Sequence, residues 1–243
     1  MMLAPPGDPL GPLARRTCVF FDFDGPVCGL FAHHPAPAVA VRLAEVFVRL
    51  GGHPGVVAGA VACGDPLAVL QVAGARHPGS ALLRDVERAL ADEETEAAAK
   101  AEPTAYVIEL MAALGAAGVR TAVTTNNSPE AVRTFFAGHR QAAVPTEHIH
   151  GRAADPRRLK PDPDCLRRAL ASTGTPPHRA VMIGDSVADR AAARAAGVAF
   201  VGYAVDEERR RALQAAGPEP LLSVSSLKEL IDVWRPADTG APG

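Results

Sequence analysis

Lysine and asparagine are scarce in this chain. Its 243 residues carry 25 Lys and Arg together, yet Lys100, Lys160 and Lys228 are the lysines, and Asn126 and Asn127 the asparagines. A surplus of either charge is also missing. The 25 basic against 27 acidic side chains leave a formal charge of −2, which argues against nucleic acid as the main partner, because such surfaces need a basic excess. No apolar run approaches the roughly 20 residues that span a bilayer. Residues 1–16 are broken by Pro and Gly where a signal peptide would be continuously apolar. No membrane partner is expected, and the cytoplasm is the expected location. The four cysteines, Cys18, Cys28, Cys63 and Cys165, show neither C-x-x-C spacing nor a dense framework, which argues against disulfides and structural zinc and for a reducing compartment.

What is present is an ordinary globular composition, 48% hydrophobic and 21% charged, in a chain long enough for one large domain or one domain carrying an insertion. Thr17–Phe21 is a short apolar β-prone run that stops at Asp22-Phe23-Asp24-Gly25-Pro26. Arg120–Thr125, a weak segment at His148–Gly151 and Ala180–Gly184 repeat the pattern. The sequences after them, Pro129–Ala137, Asp162–Ala171 and Val187–Ala196, read as helices. Ala199–Val201 precedes a charged helix over about Asp206–Ala216, and Leu221–Leu222 with Ser225–Trp234 reads as a last strand and helix. Strands alternating with helices imply an α/β fold, a Rossmann-like parallel sheet with helices on both faces.

The connection from the first strand to the second is too long for one crossover helix. It has helical spacing at Val39, Leu43, Val46, Phe47 and Leu50 and again at Leu82, Leu83, Val86 and Leu90, with breaks at Gly51-Gly52, Gly64-Asp65-Pro66 and Pro78-Gly79. That pattern predicts an inserted small α-helical cap over 28–102. The catalytic core is then expected at 17–27 and 103–235, with loose tails at 1–16 and 236–243.

Ligands of open parallel sheets bind beyond the carboxyl ends of the strands, and the polar residues gather there. Asp22 and Asp24 end the first strand, Thr125-Asn126 the second, and Gly184-Asp185-Ser186 the strand from Ala180; Asp189 follows Asp185 by one helical turn, and Lys160 sits in a loop before a helix. Hard carboxylate oxygens in this number suit Mg²⁺ with retained waters and a bound phosphate. The Lys ammonium and Thr hydroxyl can hold phosphoryl oxygens while one aspartate attacks and the other carries the proton.

Taken in order, Asp22-Phe23-Asp24-Gly25, Thr125-Asn126, Lys160-Pro161 and Gly184-Asp185-Ser186-Val187-Ala188-Asp189 resemble the four motifs of the haloacid dehalogenase superfamily of hydrolases. The resemblance implies Asp22 as nucleophile, Asp24 as general acid and base, and Thr125 and Lys160 as phosphoryl-binding groups. It also implies Mg²⁺ held by Asp22, the Asp24 carbonyl and Asp185, with Asp189 in support. Asp24, Asp185 and Asp189 favour phosphoryl transfer over carbon–halogen cleavage, so a phosphatase acting on a small phosphorylated metabolite is expected. A phosphomutase resembling β-phosphoglucomutase is the alternative, followed by a 2-haloacid dehalogenase or a non-catalytic phosphate-binding regulatory module. Pro26 and Gly29 depart from the common pattern. Asn126, His33, His34 and Arg42 are the candidate substrate contacts, with Arg49 behind them, and monomer and homodimer both stay open.

Several features have a plainer reading. Asp185-Ser186 also suits a helix N-cap, Asn127 a turn, and Cys28 a small buried apolar residue. His148 and His150 read as structural, while Glu93–Lys100 and Arg209–Arg211 read as solvated helix faces.

Overall fold

The structure, a computed structural model, describes residues 11–139 and 148–234. Strand β1, Cys18–Phe21, is buried at every position, as a continuously apolar run is when both faces of a parallel sheet are covered. It joins β2 (Arg120–Thr124), β3 (Ile149–His150), β4 (Ala180–Gly184), β5 (Ala199–Tyr203) and β6 (Leu222–Val224) in one six-stranded sheet. Every neighbouring pair is parallel, in the order β3-β2-β1-β4-β5-β6. The chain thus has the α/β architecture expected of it. Strand order reverses at β1, and Phe21 lies level with Val123 of β2 and Ile183 of β4, so the residues following these three strands emerge around one crevice.

Four helices lie between β1 and the core helix that precedes β2: α1 (Ala36–Arg49), α2 (Pro54–Cys63), α3 (Pro66–Arg76) and α4 (Ala81–Ala98). They share a core of their own around Leu43, Phe47, Val69, Leu70, Val86 and Leu90. The turns between them fall at the glycine and proline breaks, because Gly64 takes a left-handed φ of 66° and closes α2. This is the inserted helical cap.

Alternate β1 side chains face opposite ways and enter different cores. Val19 and Phe21 pack with α5 (Val107–Ala116), α6 (Pro129–Gly138) and α10 (Lys228–Trp234) through Leu110, Leu114, Phe135 and Trp234. Cys18 and Phe20 pack with α7 (Asp164–Thr173) and α8 (Val187–Ala196) through Leu166 and Ala192. The remaining helix, α9 (Glu207–Ala215), follows β5.

Two expectations need correction. The helix expected from Asp162 starts at Asp164. Pro163 disfavours helical backbone at Asp162, whose Oδ1 instead accepts the Asp164 amide at 2.9 Å. Residues 11–16, expected to fray, are tied down: Gly11–Arg15 form a 3-10 turn, Leu13 enters the main core, and Arg16 donates to the His178 carbonyl. The rest of that segment, 1–10, and the expected tail at 236–243 lie outside the described residues. Among the described residues no helix is long and apolar enough to cross a membrane.

Candidate active site

The Asp22 amide donates to the Ile183 carbonyl at 2.9 Å, so the chain keeps its sheet register for one residue beyond β1. Phe23 is fully buried and stands edge-on to Phe135 at 5.5 Å, which anchors the loop between the two aspartates. Asp24 Oδ1 accepts the Leu30 amide at 2.9 Å. Gly25 has φ of +116°, and a Cβ there would stand 2.4 Å from Asp185 Oδ2, so only glycine lets the first loop approach the fourth motif.

Lys160 closes the arrangement from the opposite side. Its Nζ donates to Asp22 Oδ1 at 2.7 Å and to the Thr124 carbonyl at 3.0 Å, and lies 2.6 Å from Asp189 Oδ1. Asp189 Oδ2 accepts from the Asp185 and Ser186 amides and from the Ser186 hydroxyl. Ser186 Oγ in turn accepts the Asp189 amide, completing a capping box at the start of α8. Capping and charge placement are therefore the work of the same residues. Thr125 Oγ1 donates to Asn127 Oδ1 at 2.8 Å and accepts the Asn127 amide at 3.1 Å.

The site is short of positive charge. At the strand ends four carboxylates, Asp22, Asp24, Asp185 and Asp189, face two cations, Lys160 and Arg209, on the wall of one cavity of about 770 Å³ between the sheet and the cap, whose cap side adds Asp65 and Glu94. Burial raises the Asp22 pKa well above the ordinary carboxylate range, Asp189 adds to the rise, and Lys160 opposes it. Burial likewise raises Asp24, against the pull of the Leu30 amide. Asp185 is pushed up to about 6 by burial and by Asp189, with Arg209 acting the other way. For Lys160, burial lowers the pKa, but Asp189 and Asp22 outweigh it and the ammonium is held above its ordinary value.

A divalent cation fits this deficit, since four negative against two positive charges leave a surplus of two. One oxygen each from Asp22, Asp185 and Asp189 lies within 4.8 Å of the others. Both Asp189 oxygens are engaged, by Lys160 and by Ser186, whereas Asp22 and Asp185 each engage one, with Lys160 and with Arg209, so Asp22 and Asp185 keep an oxygen for an ion, and hard oxygens of this kind suit Mg²⁺.

The structure brings Asp22, Asp24, Thr125, Asn126, Lys160, Asp185 and Asp189 together on the cavity wall. Asn126 is not free to contact a substrate there. Its Oδ1 accepts the Lys160 amide at 2.7 Å and its Nδ2 donates to the Lys160 carbonyl at 3.2 Å, so it clamps the lysine backbone. His33, His34, Arg42 and Arg49 do not line the cavity. His34 Nε2 lies 2.5 Å from Glu93 Oε2, and Arg42 Nε donates to Glu93 Oε1 at 2.6 Å, so those two candidates serve the join of α1 and α4. Cys28 is buried, and His150 bonds Ser172 Oγ at 2.7 Å.

Two residues read as solvated belong to the site. Glu94, on α4, is fully buried; its carboxylate accepts from Asn127 Nδ2, the Ser128 amide and Arg152 Nη1. Arg152 also donates to Glu87 and to the Asn126 carbonyl. Arg209, on α9, pairs with Asp185. In Glu94 the signal is a cap acid at helical spacing from Leu83, Val86 and Leu90, on the buried side of α4.

A doubly wound parallel sheet, a helical cap inserted behind its first strand, and acids with a lysine at the strand ends define a capped α/β enzyme. A family model described as haloacid dehalogenase-like hydrolase matches residues 17–197; the chain belongs to that family. It is 38% identical over 94 residues to a phosphoglycolate phosphatase of Rhodospirillum rubrum. That match covers 39% of this chain and 38% of the length of that relative. Among solved structures, CbbY of Rhodobacter sphaeroides in complex with xylulose-(1,5)bisphosphate superposes with a TM-score of 0.63 and 21% identity, over 90% of this chain and 99% of that one. A family hydrolase of Deinococcus radiodurans with bound phosphate and sodium gives a TM-score of 0.54 at 26% identity, over 92% and 100%.

Proposed function

We propose that this protein is a Mg²⁺-dependent phosphatase that hydrolyses a small phosphorylated metabolite through a phosphoaspartate at Asp22. The observation that carries the reading is the surplus of two negative charges around Asp22, with Lys160 set between Asp22 and Asp189. Family membership and the phosphatase relative support it.

Asp22 Oδ1 accepts both the Lys160 ammonium and the Phe23 amide, and Oδ2 receives no hydrogen bond from the described residues. Oδ2 is thus the atom that attacks phosphorus, forming a P–O bond as the ester P–O bond to the alcohol breaks. Asp24 is protonated more readily than an ordinary carboxyl, which suits it to give its proton to the departing alkoxide. As a carboxylate it then takes a proton from water, whose oxygen attacks phosphorus and releases inorganic phosphate and Asp22. Lys160 and Thr125 hold phosphoryl oxygens, and Asn126 and Asp189 fix Lys160. Held by Asp22, the Asp24 carbonyl and Asp185, Mg²⁺ would offset the charge that accumulates on those oxygens.

Release of phosphate from p-nitrophenyl phosphate and from a panel of small phosphomonoesters, with and without Mg²⁺, tests the reading. Wild-type protein should turn over with Mg²⁺ and stop with EDTA, and Asp22→Asn should be inactive. Absence of metal-dependent release across the whole panel would sink it.

A further inference from the structure

We infer that the alcohol released by this enzyme carries no negative charge, so that its substrate is the monophosphate of a small polyol with no second anionic group. The inference rests on the phosphatase reading and concerns the half of the cavity that the transferred phosphoryl group does not occupy.

That half is built by the cap, chiefly Phe31, Asp65, Leu67, Gln71 and Glu94. No cation is among them. The two cations on the cavity wall, Lys160 and Arg209, both come from the core, and both are paired, with Asp22 and Asp189 and with Asp185. The nearby arginines are diverted: Arg42 is bound to Glu93, and Arg152 is buried against Glu87 and Glu94.

The start of α3 faces the cavity through Pro66 and Leu67, and a helix N-terminus attracts anions. Here Asp65 is the N-cap, and its own carboxylate accepts the Leu67 amide at 2.9 Å, so the protein's own negative charge already holds that position. A carboxylate or second phosphate on the leaving group would lose its water with no cation to replace it, an arrangement that costs free energy. What remains is the Gln71 amide, with a donor and an acceptor, beside the apolar Phe31 and Leu67. Those groups match the hydroxyls and carbon chain of a polyol.

The test compares kcat/KM for glycerol phosphate and phosphoglycolate, esters of similar size with neutral and anionic alcohols. Glycerol phosphate should exceed phosphoglycolate by at least about tenfold, the discrimination expected when a charged group finds no partner. Gln71→Arg and, as a second variant should that one fail to fold, Leu67→Arg should raise the value for phosphoglycolate and lower the ratio. Equal or better use of phosphoglycolate by the wild type, with p-nitrophenyl phosphate hydrolysed, would overturn this inference and leave the phosphatase reading intact. No release from any ester, p-nitrophenyl phosphate included, would overturn both.

Discussion

Lys160 Nζ lies 2.6 Å from Asp189 Oδ1 inside a pocket where the lysine side chain is 2% exposed and the aspartate not at all. The second carboxylate on the same ammonium is Asp22, and the Asn126 amide group binds the lysine backbone at both its N–H and its carbonyl. The position is specified for a compact point charge. A planar guanidinium has a different reach and donor fork, and Lys160→Arg should lower kcat/KM about 10²–10³-fold, as loss of a preorganised transition-state donor does. Lys100 pairs with Glu96 on the surface and Lys228 lies over the Tyr106 ring, so Lys100→Arg and Lys228→Arg should keep wild-type kinetics. Equal activity of all three variants would refute the role given to Lys160.

Asp24 is held by one hydrogen bond from the Leu30 amide to Oδ1, and an Asn side chain can keep that bond while losing the transferable proton. Asp24→Asn should slow hydrolysis of an alkyl phosphate about 10²–10⁴-fold. The loss should be smaller with p-nitrophenyl phosphate, whose leaving group departs without protonation. Identical losses on the two esters would argue against a proton-donor role.

The Glu94–Arg152 pair has both side chains fully buried and joins α4 of the cap to the loops after β2 and β3. Removing one partner of such a pair costs about 3–5 kcal/mol, because the other charge stays buried alone. Glu94→Leu and Arg152→Met should each lower the melting temperature by roughly 10 °C in a chain of this size. The double variant should lose less than the sum, and full additivity would mean that the two charges do not depend on each other. Glu94→Leu should also reduce kcat, since Asn127, which bonds Thr125 Oγ1, loses an anchor at Glu94, and Arg152→Met should do so through the lost bond to the Asn126 carbonyl.

The parts of this protein that were legible in its sequence are those in which a local pattern carries the meaning. β1 reads as buried because four apolar residues stand together, and the glycine and proline breaks of the cap read as turns because few other residues allow them. Asp22, Asp24, Lys160 and Asp185 could be placed because each follows a strand or precedes a helix. Helix α5 passed unnoticed, since Val107–Ala116 carries apolar residues on most of its surface and shows no clear periodicity. Glu94 and Arg209 passed as solvated for another reason. Their partners are 33 and 24 residues away, at Asn127 and Asp185, and nothing local distinguishes a paired acid or arginine from a hydrated one. His34 and Arg42 are drawn off in the same way, because Glu93, 59 residues beyond His34, holds both.

Arg209 donates to Asp185 Oδ2 from α9, the carboxylate proposed to hold the metal. The arginine therefore competes with a cation for that carboxylate. Arg209→Gln should tighten Mg²⁺ or Mn²⁺ binding severalfold, as removal of one nearby positive charge does at a partly buried site. Calorimetric titration of the metal into EDTA-treated protein measures this without relying on turnover. Weaker binding in the variant would mean that Arg209 orients Asp185 for the metal instead of competing with it.

The raised Asp185 pKa, about 6 against an ordinary 3.8, makes the metal-free protein respond to pH in a definite direction. The native state binds this proton more tightly than the unfolded chain does, so the group favours folding below about pH 4 and ceases to do so as pH rises through about 6. A shift of about two units corresponds to roughly 2–3 kcal/mol, all of it lost at pH 7 without metal. His150 works in the opposite sense, since burial lowers its pKa to about 4 and stability is lost as pH falls from its ordinary 6.5 toward that value. The difference between wild type and Asp185→Asn cancels His150, which is common to both, and leaves the aspartate together with its part in raising Asp22, which acts in the same direction. In EDTA, wild type should gain stability relative to Asp185→Asn between pH 7 and pH 5. With saturating Mg²⁺ the sign should reverse, because the ion binds the carboxylate and acid displaces it. Urea midpoints at the two pH values, with EDTA and with Mg²⁺, give all four differences. A wild-type-minus-variant difference that does not change sign with the metal would exclude Asp185 as its ligand.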